Sequence, residues 1–340
     1  MIDSLKINEY KGLNNFKLDK LSQINIISGK NNVGKTMLLE AISISKNLTN
    51  LRVFKKNIEF IYLRRELNYQ NIYKKLSNIF LNIKSSQSNV IIASKSSNSL
   101  NEDEVQLLKT QYFDPTITEF LTMYTDDILK DIIPLTQERE LGNVTFKTFF
   151  INSSLPNNYY LTQLYKSIQD LEIQSKFLKY LKIIDKNIVG IEPYLTQIVA
   201  PDGNNIQSTA LRVTLKNPTQ SLLSSELGEG TNRFIEILCI LLGNANGTVL
   251  IDEIENGIHY TKLYDIWKAI IEIVDKENIQ LFVTTHDLES IEALNRASED
   301  MIFDKISSIT LEKDDENIIY PIIRKYTSFT STVESGMDIR

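Results

Sequence analysis

The sequence has little of several residue types, and each shortage excludes a class of protein. Its 340 residues include one cysteine, Cys239, so a disulfide framework is excluded and a reducing cytoplasm is the expected compartment. The formal net charge is -6, whereas a freely acting DNA binder is usually basic. No apolar run reaches the ~18 residues of a membrane helix, and Met1–Lys6 lacks the features of a signal peptide. We therefore expect a cytoplasmic chain without a membrane segment.

Glycine is also scarce, yet two of the 12 glycines stand at a spacing that carries chemistry. Residues 29–36 read Gly-Lys-Asn-Asn-Val-Gly-Lys-Thr, which is the full Walker A pattern G-x-x-x-x-G-K-[ST]. The apolar run Ile24–Ser28 predicts a strand before this loop, and the apolar spacing after it predicts a helix. Glycines let backbone N–H groups point at phosphate oxygens, and the helix N-terminus attracts the same anion.

The Walker A pattern predicts an ATP site that includes Mg²⁺. Lys35 is expected to reach the β- and γ-phosphates, and the Thr36 hydroxyl is expected to ligate Mg²⁺. The sequence has no Asn-Lys-x-Asp motif for reading guanine, which favours ATP over GTP. The residues predicted to bind the nucleotide are Gly29, Lys30, Asn31, Asn32, Val33, Gly34, Lys35, Thr36 and Met37.

Two later apolar runs predict buried parallel strands that end in polar residues. Thr248–Asp252 has the form of a Walker B strand, with Asp252 as a second Mg²⁺ ligand. The next residue, Glu253, is expected to polarise the attacking water. The run Gln280–Thr284 leads into His286, one of only two histidines, and places an imidazole at the carboxyl edge of the sheet. Lys35, Glu253 and His286 are therefore the predicted catalytic residues.

A further glycine pair precedes the helical run Phe234–Leu242. Residues 224–231 read Ser-Ser-Glu-Leu-Gly-Glu-Gly-Thr, and glycine amides at a helix start suit an anion. In isolation this is an ordinary glycine-rich helix cap, but its place shortly before the Walker B strand favours a diverged ABC signature. Leu-Gly-Glu-Gly then stands where transporters carry Leu-Ser-Gly-Gly. The predicted contacts to the γ-phosphate held by a second subunit are Leu227, Gly228, Glu229 and Gly230.

These segments resemble one family. Residues 7–13 and 24–36 are similar to the heads of SMC/RecF-like ABC ATPases. Residues 227–231, 251–260 and 284–286 are similar to bacterial AAA15-type ATPases, which include the ATPase part of OLD-family nucleases and the ATPase subunits of anti-phage systems. The resemblance implies an α/β P-loop NTPase of ABC type, with a mixed sheet flanked by helices. It also implies a head-to-tail homodimer around ATP, in which His286 senses the γ-phosphate.

The resemblance leaves some positions open. Gly228 replaces the signature serine, and Asp287 follows the switch histidine where the family often has serine. Residues 256–257, Asn-Gly, correspond to the D-loop, and His259 after them is expected to be either an inter-subunit contact or a helix-terminal residue packed on the sheet. The Q-loop cannot be placed, since Gln70 and Gln87 are candidates by position alone.

Outside the motifs, the pattern from Asn101 to Asp185 predicts helices. The residues that carry this pattern are Phe120, Leu121, Tyr124 and Ile128, then Leu161, Leu164, Tyr165, Ile168 and Leu171. Strands are predicted at Leu5–Ile7, Phe60–Leu63 and Asn89–Ile92, and a hairpin at Ile191–Val199 with Leu211–Leu215. The expected organisation is residues 1–100 as the first part of an ATPase head, 101–187 as a helical insertion and 188–340 as the second part of the head.

The predicted function is an ATPase that gates a separate effector, a nuclease of the Toprim or HNH type, in anti-phage defence. The residues after His286 lack a clear Toprim acidic constellation, since Asp314, Asp315 and Glu316 read as a solvated turn. One alternative is a scaffold held together by ATP with little hydrolysis. Another is a RecF-type repair ATPase that acts on DNA itself, against which the acidic balance of the chain speaks. The short basic stretch of Arg52, Lys55, Lys56, Arg64 and Arg65 reads either as solvated charges on a helix and its loop or as a local stripe that contacts nucleic acid. A transporter subunit fits the sequence poorly.

Overall fold

The short apolar runs of the sequence become the strands of a central sheet in the computed structural model, which describes residues 1–10, 12–45, 88–96, 99–114, 117–125, 128–134, 148–168, 171–199, 205–337 and 339. The strands are β1 Ser4–Tyr10, β2 Leu13–Leu18, β3 Ile24–Ser28, β4 Ser88–Ser96, β5 Ser99–Asp114, β6 Ile117–Thr125, β7 Ile128–Pro134, β8 Thr148–Ile151, β9 Ile188–Val199, β10 Asn205–Leu215, β11 Gln220–Leu223, β12 Thr248–Ile251, β13 Gln280–Thr284, β14 Ile306–Lys313 and β15 Ile319–Lys325. The helices are α1 Lys35–Ser45, α2 Asn158–Ser167, α3 Leu171–Leu181, α4 Glu229–Leu242, α5 Tyr260–Lys276, α6 Leu288–Asp300 and α7 Tyr326–Glu334.

The central sheet is mixed, as predicted. Its strand order is β15-β14-β3-β13-β12-β8, and only β15 runs antiparallel to its neighbour. The carboxyl ends of the parallel strands therefore share one edge, where ligands bind in open α/β sheets. The strands that lead into the Walker A, Walker B and histidine motifs are β3, β12 and β13, and β13 lies between the other two.

Each face of this sheet covers a separate apolar core. Along β12 the buried Val249 and Ile251 belong to the core shared with α4, α5 and α6, whereas Leu250 belongs to the core shared with β1, β2 and α1. Successive side chains of a strand point to opposite faces, so a fully apolar run is the pattern of a strand buried on both sides. The two cores fix the sheet between helices and leave its polar carboxyl edge open for the motif loops.

Two further sheets are antiparallel. One has the order β2-β1-β4-β5-β6-β7, and the other is β11-β10-β9. The second sheet confirms the predicted hairpin, with Ile191 opposite Val213 in the register of β9 and β10. The predicted strands at Leu5–Ile7 and Asn89–Ile92 lie in β1 and β4. Phe60–Leu63 and Arg52–Arg65 fall outside the described residues.

The helical prediction is wrong for the first part of the middle region and confirmed for the second. Phe120, Leu121 and Tyr124 lie in strand β6, and Ile128 begins β7. The segment 117–125 is rich in β-branched and aromatic residues that favour strands, and apolar residues spaced three and four apart occur there without a helix. The later residues, from Leu161 to Leu171, do lie in or beside α2 and α3. The division into 1–100, 101–187 and 188–340 stays a prediction.

Both ends of the described chain are tied to the central sheet. The Ile2 N–H donates to Gln280 Oε1 over 2.6 Å, and Gln280 Nε2 donates to the Ile2 carbonyl over 2.7 Å, at the start of β13. Towards the carboxyl ends of β3 and β14, the Ile339 carbonyl accepts hydrogen bonds from the hydroxyls of Ser28 and Thr310. None of the described helices is both long and apolar enough to cross a membrane.

Candidate nucleotide site

The loop of residues 29–36, here called the P-loop, has the backbone that its glycines predict. Gly29 has φ +138° and Gly34 has φ +109°, values that side-chain-bearing residues rarely adopt. A Cβ on Gly29 would lie 2.6 Å from the carbonyl oxygen of Leu311 in β14, so the loop is packed too closely for any side chain there. Val33 is buried and anchors the loop in the core. Lys30, Asn31 and Asn32 are exposed on its crest.

The Lys35 ammonium lies inside this loop. Its Nζ donates to the carbonyls of Gly29, over 2.6 Å, and Lys30, over 3.2 Å. Burial lowers the pKa of Lys35, and the carboxylates of Asp252, Glu253 and Glu255 act in the opposite direction. These interactions hold a compact positive charge at the centre of the loop, where a phosphate chain would pass.

Thr36 and Asp252 meet as predicted. The Thr36 hydroxyl donates to the Asp252 carboxylate, with distances of 2.9 Å to Oδ2 and 3.2 Å to Oδ1. Thr284, at the end of β13, donates to Asp252 Oδ1 over 2.6 Å. A hydroxyl beside a carboxylate is a set of hard oxygen ligands, the kind that Mg²⁺ prefers alongside substrate phosphates. The residues present therefore fit an Mg²⁺ ion that completes its ligands with a nucleotide.

Glu253 follows Asp252 in an unusual backbone conformation. Its φ is +50°, in the left-handed region that is uncommon for residues other than glycine. Its N–H donates to the Thr284 hydroxyl over 2.8 Å, so one threonine orients both acids of the Walker B pair. A strained conformation held by specific bonds is a frequent property of functional residues.

His286 is paired with an acid that the sequence analysis did not select. Glu255 Oε1 accepts from the backbone N–H of His286 over 3.0 Å and lies 3.1 Å from its Nδ1. The Glu255 side chain is 9% exposed, whereas that of His286 is 52% exposed. Burial raises the pKa of Glu255, and its bonds to His286 and Thr285 act in the opposite direction. The pair fixes the ring of His286 through Nδ1 and leaves Nε2 as its other polar atom.

Comparison with known proteins assigns the family. Residues 24–292, more than half of the chain, match the family described as "AAA domain, putative AbiEii toxin, Type IV TA system". The chain belongs to this family of AAA-domain ATPases. It is also similar to an "ATP/GTP phosphatase" of Helicobacter pylori, with 23% identity over 94% of this chain and 95% of that protein.

Solved structures show the same fold for this AAA-domain ATPase. It is similar to an SMC head bound to the C-winged helix domain of ScpA, with a TM-score of 0.51, 10% identity and coverage of 95% and 97% of the two chains. It is also similar to an Smc head with an extended coiled coil, bound to the C-terminal domain of ScpA derived from Pyrococcus furiosus. The TM-score is then 0.53, with 10% identity and 98% of each chain covered. The fold is therefore that of an ABC-type P-loop ATPase, as predicted.

The signature segment of this ATPase begins a helix, as predicted. Gly228 is the N-cap residue of α4 at φ +104°, and Glu229 is the first residue of that helix. Gly228 and Glu229 are exposed, while Leu227 and Gly230 are half-buried. A Cβ on Gly228 would meet no atom within 4 Å. Among the hydrogen bonds of the described residues, none joins residues 227–230 to the P-loop.

Two of the remaining positions have structural roles. His259 is the exposed N-cap residue of α5, with its Nδ1 2.9 Å from the Thr261 hydroxyl and its ring beside that of Tyr260. It lies at a helix end but does not pack on the sheet, which leaves its predicted inter-subunit contact as a prediction. Asp287 caps α6 by accepting from the Glu289 N–H over 3.1 Å, which explains an acid at this position.

The structure also reveals residues that the sequence analysis missed. Strand β8 runs parallel to the Walker B strand with Ile151 opposite Ile251, so Asn152 is level with Asp252 at the sheet edge. Arg233, in α4, donates to the carbonyls of Asn152 and Asp252. The order of parallel strands was the missing information, because no local motif marks β8. Gln70 and Gln87 lie outside the described residues.

Proposed function

We propose that the chain hydrolyses Mg²⁺-ATP as a homodimer and that this cycle regulates a separate effector protein. One observation carries the proposal: the side chains of Lys35, Thr36, Asp252, Glu253 and His286, which come from three segments of the sequence, occupy neighbouring loops at one sheet edge. Such convergence of charged groups on a phosphate-binding loop is the arrangement that phosphoryl transfer needs.

The residues divide the chemistry among them. The P-loop amides and the Lys35 ammonium would bind the phosphate oxygens, and Thr36 and Asp252 would hold Mg²⁺. When bound, the metal would neutralise charge that develops on the phosphates. Glu253 would accept a hydrogen bond from the attacking water and orient it, because its carboxylate follows the metal ligand directly. His286 would face the γ-phosphate with Nε2, since Glu255 occupies its Nδ1 side.

The dimer is proposed because, among the hydrogen bonds of the described residues, none joins the signature loop to the P-loop of its own subunit. Gly228 and Glu229 are exposed at the start of α4, with the helix N-terminus facing outward. A second copy arranged head to tail would present its nucleotide to this loop, where the helix dipole and free amides favour an anion. Lys35 and Glu253 of one subunit and Leu227–Gly230 of the other would then enclose each ATP.

An effector that responds to the dimer is the last part of the proposal. The family description names a toxin of a type IV toxin–antitoxin system, and the Helicobacter pylori relative is named for nucleotide hydrolysis alone. A nucleotide-driven subunit paired with a separate nuclease in anti-phage defence is consistent with both. The matched Smc heads were solved with parts of ScpA, a separate protein, which is an example of a head of this fold with a bound partner.

The first test is nucleotide hydrolysis by the purified protein, with molecular mass followed by light scattering. The wild type is expected to hydrolyse ATP, Lys35→Ala to lose nucleotide binding, and Glu253→Gln to bind ATP, stop turnover and accumulate as a dimer. GTP assayed in parallel tests the preference for adenine. Turnover by Lys35→Ala equal to the wild type would refute the site.

A scaffold held by ATP gives a different result, in which the wild type assembles with ATP but hydrolyses it no faster than Glu253→Gln. Direct action on DNA would appear as duplex binding that weakens steeply with salt. Co-purification of a nuclease that is released when ATP is hydrolysed would support the effector role. The activity of that nuclease on DNA should change when Glu253→Gln is introduced into the ATPase.

A further inference from the structure

Arg233 is a buried cation that the proposed catalytic steps do not use. It begins the second turn of α4, three residues after Gly230, and its side chain is fully buried. Glu236, one turn further along the helix and 1% exposed, accepts from Arg233 Nη1 over 3.1 Å. A charged pair this deep in a protein is costly to desolvate, so its retention at this place suggests a specific task.

The other bonds of Arg233 go to backbone carbonyls at the ends of two sheet strands. Nη1 donates to Asn152 O over 2.8 Å, while Nη2 donates to Asp252 O over 2.6 Å and to Glu253 O over 3.3 Å. One guanidinium fork therefore spans the end of β8 and the end of the Walker B strand. The carbonyls of Asp252 and Glu253, which Nη2 binds, lie before and after the Cα atom of Glu253, the residue in the left-handed conformation.

A second contact joins the same two regions. Gly230 of the signature segment packs so closely on the D-loop that a Cβ there would collide with the carbonyl oxygen of Gly257. The D-loop is fixed in turn to the end of β8, because Asn256 Nδ2 donates to the Ser153 carbonyl. The start of α4, the Walker B end at residues 252–253 and the D-loop at residues 256–257 are thus tied together at several points.

We propose that Arg233 is a positioning residue that makes the signature loop and Glu253 of one subunit move as a unit. The inference rests on the proposed dimer: when the signature loop of a subunit engages the nucleotide of its partner, Arg233 transmits the displacement to that subunit's own Glu253. Each subunit's water-orienting acid then reports whether the opposite site is filled. Hydrolysis at the two sites is coupled as a result.

A mixed dimer isolates this coupling from direct nucleotide contact. A ¹⁵N-labelled Lys35→Ala subunit, which lacks its own ATP, is combined with an unlabelled Glu253→Gln subunit that holds ATP. Hydrogen exchange measured on the labelled chain is expected to slow both at residues 228–231 and at residues 252–258. With Arg233→Lys added to the labelled subunit, only residues 228–231 should slow, because an ammonium lacks the planar fork that binds several carbonyls at once.

Turnover gives the matching kinetic result. Arg233→Lys in the full protein is expected to lower kcat by about 10- to 100-fold with little change in ATP affinity. It should also abolish any cooperativity in ATP. Gly230→Ala disturbs the same link with Arg233 intact. The fall in log kcat of the double variant, Gly230→Ala with Arg233→Lys, should therefore be smaller than the sum of the falls in the two single variants. Ile240→Ala, in the same helix but buried in the core, serves as the control for lost stability.

The results separate this inference from the proposed function. Equal slowing of exchange at residues 252–258 with and without Arg233→Lys would overturn the coupling and leave the ATPase proposal intact. A fall in kcat that Ile240→Ala reproduces at the same melting temperature would also overturn it. Failure of the mixture to form any ATP-dependent dimer on light scattering would instead refute the dimer, and the coupling with it.

Discussion

The P-loop and the signature loop both place glycine at the start of a helix, yet their surroundings differ completely. Around Gly29 a single added carbon would collide with the backbone of β14, and Lys35 already bonds the loop from inside. Around Gly228 there is open space, although its backbone angle is just as unusual. The P-loop is a complete anion-binding loop, and we propose that the signature loop is half of a site whose other half lies on a second subunit.

The largest effect is expected from adding a carbon to each loop in turn. Gly29→Ala forces both a steric clash and a strained φ, so we expect a loss of roughly 2 kcal/mol or more in stability. ATP affinity should fall ~100-fold or more, as the amides of the cradle no longer converge. Gly228→Ala should cost only the strain of its φ and leave ATP affinity unchanged. Calorimetric titration with ATP and thermal melting test both, and equal losses in the two variants would contradict the contrast.

The metal ligands should give the next largest effect. Thr36→Val keeps the shape of the side chain but removes the hydroxyl that bonds Asp252. We expect hydrolysis to fall about 100-fold and ATP binding to lose most of its dependence on Mg²⁺, because one oxygen ligand is gone. Thr36→Ser keeps that oxygen and is the matched control. Titration of ATP with Mg²⁺ and with EDTA measures the difference, and an unchanged Mg²⁺ effect in Thr36→Val would rule out this ligand.

A smaller and more selective effect is expected at the open loop. Gly228→Glu adds a negative charge where the partner's γ-phosphate should lie, so the ATP-dependent dimer of Glu253→Gln should be lost. ATP affinity of the single subunit should stay within about twofold, since the P-loop is untouched. Gly336→Glu is the matched control, because Gly336 also has positive φ and no atom within 4 Å of an added Cβ. Light scattering with ATP distinguishes them, and a dimer that survives Gly228→Glu would remove this loop from the interface.

The smallest effect concerns the acid beside His286. Burial raises the pKa of Glu255 above its ordinary value of 4.5, so the folded chain keeps this proton at pH values where the unfolded chain has lost it. The free energy of unfolding therefore falls as the pH rises through that window. Glu255→Gln removes this ionisation and should raise the melting temperature at pH about 8, with the gain shrinking towards pH about 4. Melting curves of the two proteins across this range would contradict the assignment if their difference did not change with pH.

Much of the site could be predicted from the sequence because its parts are local. Gly29–Thr36 needs only a strand before it and a helix after it, and the strands at Thr248 and Gln280 are apolar on both faces. The meeting of Thr36 with Asp252 follows once β3, β13 and β12 lie side by side in parallel. The fold class was predictable for the same reason, since alternating strands and helices imply a parallel sheet.

The remainder depends on contacts between distant parts of the chain. Asn152 lies at the site only because β8 pairs with the Walker B strand. Strand β8 has four residues, which is too short for a recognisable strand pattern in the sequence. Apart from Glu236, the partners of Arg233 are backbone carbonyls, and contacts to backbone carbonyls cannot be predicted from the side-chain pattern of a sequence. The strands at residues 99–114, 117–125 and 128–134 were missed because their apolar residues satisfy a helical spacing, although the abundance of β-formers is the better indicator of a strand.

The two anchored ends of the chain lie at opposite ends of the parallel strands of the same sheet, and this makes them useful for spectroscopy. Ile339 bonds the residue that immediately precedes the P-loop, whereas Ile2 bonds the start of β13. A dye coupled near this end of the chain would report nucleotide binding from beside the P-loop. A spectrally distinct dye at Met1 would lie near the start of β13 and provide an internal reference in the same cuvette.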